Sequence, residues 1–108
     1  MGMVHSTIRL IIPFEKQYEA LEILSSISEE IQFEPGCISS RLYQDVREQL
    51  AIMLEEIWTS EKDLQRHLRS DKYRRVLLVV EMSAEPPEIR FDIIAHSSGV
   101  ETIEHART

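Results

Sequence analysis

The chain has 108 residues, 43% of them hydrophobic, and a formal net charge of −7. That length suits one globular domain over residues 1–108, burying roughly 60–70% of its extended-chain surface. The acidic balance argues against nucleic acid, which needs a clustered basic face. No apolar run approaches the ~18 residues of a membrane span. Arg66, Arg69, Lys72, Arg74 and Arg75 make a local basic patch, but acidic residues surround it, as on a solvated helix face. Cys37 stands alone, so no internal disulfide can form and a reduced, cytoplasmic setting is expected. Beside Ile38 at a strand start, it reads as a small packing residue. The beginning lacks a basic stretch, an apolar core and a small-residue cleavage site, so no secretory signal is expected. Met1-Gly2 with Ser6 fits a loose myristoylation pattern. A chance match is the plainer reading, because residues 4–12 read as a buried strand.

Val4 to Ile12 alternates with period two, with Val4, Ser6, Ile8, Leu10 and Ile12 on one side and His5, Thr7, Arg9 and Ile11 on the other. Pro13 ends this strand. From Phe14 to about Phe33, Ala20, Ile23, Leu24, Ile27 and Ile31 recur at helical spacing, until Pro35-Gly36 stops the helix. Strand alternation resumes over Ile38–Tyr43, with Ile38 and Leu42 opposite Arg41 and Tyr43. A short polar connection leads to Leu50–Trp58.

This second hairpin strand is apolar on both faces: Leu50, Ile52, Leu54 and Trp58 on one, Ala51, Met53 and Ile57 on the other. Such a strand is covered on both sides. Helices in so short a chain cover only one, so a second copy of the chain is the economical cover for the other.

Ser60 is placed to cap a helix, with Asp63 in place of the usual capping-box Glu or Gln. Leu64, His67, Leu68 and Asp71 then share a face. Ser70 is expected to break this helix and cap another running to about Glu81, although Val76–Val80 alone fits helix or buried strand. Glu85-Pro86-Pro87 breaks the chain before a last strand over Glu88–Ala95, in which Ile89, Phe91 and Ile93 point one way. The tail, residues 96–108, reads either as a short helix with Val100 and Ile103 inward or as an arm over a partner subunit. The fold class is α+β: an antiparallel sheet with helices on one face, in the ferredoxin-like βαββαβ order.

Pro35-Gly36-Cys37, Tyr43, Glu56-Ile57-Trp58, His67-Leu68-Arg69-Ser70 and Tyr73, in this order, resemble the antibiotic biosynthesis monooxygenase family over about residues 4–95. The resemblance implies a dimeric α/β barrel, a homodimer whose sheets pack face to face. It further implies oxidation of phenols, anthrones or quinols by O₂ without flavin or metal, in a dry cavity with a proton acceptor and an aromatic wall. No cofactor is expected. Gly2, Gly36 and Gly99 lie too far apart for a phosphate loop, and no His-x-x-x-His spacing suggests a metal.

A haem-degrading branch resembles the chain around Trp58. The chain departs from it in the first strand, at Ile8 or a neighbour, where that branch needs an asparagine, and at Val76–Leu78, where its axial histidine would fall. Haem degradation is therefore not expected, and the missing first-strand polar residue also weakens the oxygenase reading.

Four residues, His67, Trp58, Tyr43 and Arg9, are the candidates for chemistry, and Glu56 and Arg41 are weighed beside them. An unperturbed histidine titrates near neutrality, so His67 suits proton transfer, yet its leucine neighbours explain its position as a satisfied core histidine without catalysis, and that is the plainer reading. Trp58 either walls a cavity or is the largest core residue. Glu56 shares its face and, if buried, needs a partner or a raised pKa. Arg9, with Arg41 and Tyr43, lies opposite the main apolar sets; it either stabilises a phenolate inside the barrel or meets solvent at its mouth. His5, His96 and His105, near the termini, are set aside. The function expected is a cofactor-independent monooxygenase on a small aromatic or quinol, with a non-enzymatic ligand-binding or structural dimer module, or a small-carbonyl isomerase, as alternatives.

Overall fold

The computed structural model describes residues 2–108, so Met1, and with it the start of the Met1-Gly2 pattern, lies outside the described residues. The elements are β1 (Val4–Ile11), a 3₁₀ turn (Phe14–Lys16), α1 (Gln17–Ile31), β2 (Cys37–Gln44), β3 (Ala51–Trp58), α2 (Glu61–Leu68), α3 (Tyr73–Val80), β4 (Glu88–Ile93) and α4 (Val100–Ala106). The strands lie in the order β2-β3-β1-β4 and every pairing is antiparallel. This is the α+β, ferredoxin-like plan that the element order predicts.

Alternation decides which side chains enter the core. Val4, Ile8 and Leu10 of β1 and Ile52, Leu54 and Trp58 of β3 are buried on the face that packs against the helices. Ala20, Leu24, Ile27 and Ile31 of α1 and Val76 and Val79 of α3 meet them. The ambiguous Val76–Val80 run is thus helix, with Leu77 and Leu78 left outside. The opposite face of the sheet carries no helix, and His5, Thr7, Arg9, Met53, Glu55 and Ile57 there are half-buried.

Three local expectations are corrected. The β2–β3 register shifts between Cys37 and Ser39. This bulge puts Cys37 against the core and leaves Ile38 half exposed, because one extra residue resets the alternation. Ser70 does not cap α3. Its hydroxyl donates back to the His67 carbonyl at 2.7 Å, closing the end of α2, and α3 starts without a side-chain cap. Because α2 ends at Leu68, Asp71 leaves its buried face.

Ser60 does cap α2, accepting from the Asp63 N–H at 3.2 Å. The tail is helical at α4, but Val100 and Ile103 are exposed rather than inward. Ile89, Phe91 and Ile93 also remain largely uncovered, since no helix reaches the β4 edge.

Candidate functional site

The four candidate residues fall on opposite faces of one sheet. Period two on β3 aims Glu56 and Trp58 at the helix side, where both are buried. The Trp58 indole N–H donates to Glu56 Oε1 at 3.0 Å. Ser60 starts α2 so that its second turn lays His67 on Trp58, with ring centroids 4.6 Å apart and planes at 28°. Tyr73 closes the stack edge-on at 5.2 Å.

His67 Nδ1 is 3.0 Å from Glu34 Oε1, and its Nε2 is 3.4 Å from Glu56 Oε1. Lys72 Nζ lies 3.5 Å from Glu34 Oε2. With the imidazole protonated, two cations face two carboxylates, which makes burial of the group tolerable. Burial alone pulls the His67 pKa down, but Glu56 and then Glu34 more than offset it and hold it above the ordinary imidazole value. The same carboxylates act outward. Burial, then Glu56 and Glu34, push the Cys37 thiol up to about 11. Burial and Glu56 push the Tyr73 hydroxyl up to about 12. His67 and Trp58 are sealed, at 1% and 0% exposure, and packed against one another. This arrangement can hold a proton and a geometry.

The helix-free face is different. Arg9 pairs across the ladder with Met53, and Met53 with Tyr43, so these three form one row over β1, β3 and β2. They line a groove of about 110 Å³ with Asp45 and Ala51. Arg9 Nη1 contacts Glu88 Oε2 at 3.0 Å and its Nη2 lies 3.8 Å from Asp45 Oδ2. Asp45 is held below the usual carboxylate value by the backbone N–H groups of Arg47 and Glu48, which donate to it at 2.7 and 3.1 Å.

The next row holds Glu55. It accepts from the Tyr43 hydroxyl at 3.3 Å and lies 2.9 Å from His5 Nε2. His5 and Glu55 were not among the sequence candidates. Alternation does put His5 on Arg9's face and Glu55 on Met53's. The missing signal was the register that sets β1 against β3, which a single chain does not spell out. A larger hollow of about 360 Å³ lies between Phe14, Gln17 and Leu21 at the start of α1 and the β2–β3 hairpin. Among the described residues no three of His, Cys, Asp and Glu gather as a metal-binding set, and no helix is long and apolar enough to cross a membrane.

A four-stranded antiparallel sheet with helices on one face, a buried Glu-x-Trp on its second hairpin strand and a histidine stacked on that tryptophan define a ferredoxin-like α+β protein. Solved structures share the fold. A conserved protein from Methanosarcina mazei Go1 is 26% identical, with a TM-score of 0.79 over 86% of this chain and 93% of that one. A candidate antibiotic biosynthesis monooxygenase from Nitrosomonas europaea is 20% identical, with a TM-score of 0.80 over 92% and 97%. Another from Caulobacter crescentus CB15 is 20% identical, with a TM-score of 0.79 over 88% and 92%. No curated protein matches the chain. The family model for antibiotic biosynthesis monooxygenase matches residues 3–77, and the chain belongs to that family.

Proposed function

We propose that the chain is a cofactor-independent monooxygenase that oxidises a small phenol or quinol with O₂ on the helix-free face of its sheet. The observation that carries this reading is the groove beside Arg9 and Tyr43, which combines a cation, a phenolic hydroxyl and an apolar floor. A ligand site commonly occupies about 300–1,000 Å³, so a groove of about 110 Å³ is a floor that needs a roof. The sheet of a second copy, packed face to face, would supply that roof and cover Met53 and Ile57.

The chemistry starts with loss of a proton from the substrate. Arg9 stabilises the resulting phenolate. Its existing pairs to Asp45 and Glu88 involve exposed carboxylates that solvent screens, so an incoming anion competes with them. The electron-rich anion reduces O₂, a carbon–oxygen bond forms, and the substrate peroxide picks up a proton. It then loses water to leave a carbonyl, one oxygen atom going to product and one to water. Tyr43 walls the groove and hydrogen-bonds at its edge. Trp58 and His67 act as positioning residues that hold β3 beneath the groove.

Oxygen uptake with a panel of hydroquinones and anthrones tests this. Arg9→Ala should lower turnover about 100-fold and Tyr43→Phe less. Uptake indifferent to Arg9→Ala would remove Arg9 from the reaction. The sealed packing around Trp58 and His67 favours a second reading, a ligand-binding or structural dimer module, and a wild-type protein that binds quinols without consuming O₂ would select it.

A further inference from the structure

Three strands bring His5, Glu55 and Tyr43 together on the helix-free face although 50 residues separate the first two. We infer that His5 is the proton acceptor of this face, oriented by Glu55, and that Tyr43 holds Glu55 in place. The inference rests on the phenol-oxidising reading above and names its base.

A carboxylate 2.9 Å from His5 Nε2 fixes the proton of the neutral imidazole on that nitrogen. The lone pair then sits on Nδ1, which has no hydrogen-bond partner among the described residues. A phenolic O–H beside Nδ1 transfers its proton there, and the imidazolium that forms lies against the Glu55 carboxylate. Charge is conserved, because a neutral phenol and a neutral imidazole become a phenolate and an imidazolium. The Tyr43 hydroxyl donates to the other Glu55 oxygen at 3.3 Å and stops the carboxylate from turning away. His5 and Glu55 are partly open, with side-chain exposures of 33% and 22%, so a ligand can reach the pair and the pair still escapes full solvent screening.

Other groups share this face. Asp92 pairs with His5 across β1–β4, Arg90 with Thr7, and Arg41 with Glu55 across β2–β3. Asp92 and Arg90 lie 3.4 Å apart and largely neutralise one another. Glu55 is therefore the carboxylate in contact with the imidazole. Arg9, four residues further along β1, sits roughly 13 Å away at about 3.3 Å per residue. His5 and Glu55 lie outside the groove beside Arg9, so the oxygen that gives its proton to His5 is not the one Arg9 meets. A ligand served by both needs a conjugated ring system long enough to carry the charge from one to the other.

The test uses 4-nitrophenol, whose absorbance reports its ionisation and which does not depend on O₂. At a pH where the free dye is half ionised, the wild-type protein should bind it mainly as phenolate. His5→Asn and Glu55→Gln, checked for folding by circular dichroism, should bind it with the neutral form restored, and Tyr43→Phe should give an intermediate value. With an oxidised substrate, the same two variants should lower kcat about 100-fold or more with little change in KM. A bound dye equally ionised in wild type and His5→Asn, or no binding by wild type, would overturn the assignment. Deprotonation that depends on His5 without O₂ uptake for any quinol would uphold it while removing the oxygenase reading.

Discussion

At the scale of single residues, the chain uses its histidines in opposite ways. His67 is locked between Glu34 and Glu56 under Trp58, so its proton belongs to the fold. Removing it by His67→Ala leaves two carboxylates short of a partner and should cost about 3–5 kcal/mol in urea denaturation. The pH dependence has a definite sign. The folded-state pKa of His67 is raised, so its contribution is fully present below the ordinary imidazole value of about 6.5 and is lost as pH rises through the higher folded value. Unfolding midpoints of the wild type should therefore fall over that interval relative to those of His67→Phe. Parallel curves for the two proteins would show that His67 is not the group responsible. Cys37 provides a check on the same carboxylates. With its thiol pushed up to about 11, it should react with iodoacetamide far more slowly at pH 8 than an exposed cysteine, until the protein is unfolded.

At the scale of elements, the turn that joins α1 to β2 is tied to the cap of α2. Gly36 has φ of +86°, and a side chain there would run into Asp63, which itself accepts from Ser60 and Thr59. Gly36→Ala should lower stability by about 1–3 kcal/mol, and Ser60→Ala by about 1 kcal/mol, both read from denaturant midpoints. Much of this level was legible in the chain. Alternation in β1 and β3 gave the buried faces and put Glu56 beside Trp58, and Ser60 announced its helix.

What the sequence does not display is pairing at a distance. Glu34 reaches His67 from the turn after α1, and His5 meets Glu55 only because β1 and β3 lie in one particular register. Bulges are equally silent, since nothing local distinguished Cys37 from Ile38 as the residue that turns inward. Ser70 misled for a related reason. A serine between two helices can bond backward or forward, and here its hydroxyl is taken by the carbonyl of His67.

At the scale of the whole molecule, the two faces of the sheet divide the work. The helix side is sealed over β1 and β3, while the other side is half-buried there, carries both apolar and charged groups, and has no helix over it. A second copy packed there would bury Met53 and Ile57 and close the groove. Sedimentation at micromolar concentration should give the mass of two 12.6 kDa chains, and Ile57→Asp should shift it to one. A monodisperse wild-type monomer would remove the roof from the proposed site. The chain is also more extended than its length requires, with a radius of gyration of 15.4 Å against roughly 13 Å for a compact domain of this size. The exposed α4 at its end fits that difference.

The most direct discrimination between the two faces is oxygen uptake with a turned-over quinol, measured side by side for Arg9→Ala and Trp58→Phe, each confirmed as folded. Arg9→Ala should lose about 100-fold in turnover, while Trp58→Phe loses stability and keeps most of its rate per folded molecule. The reverse pattern, with uptake abolished by Trp58→Phe and untouched by Arg9→Ala, would move the chemistry to the sealed side of the sheet and contradict the assignment of the open face.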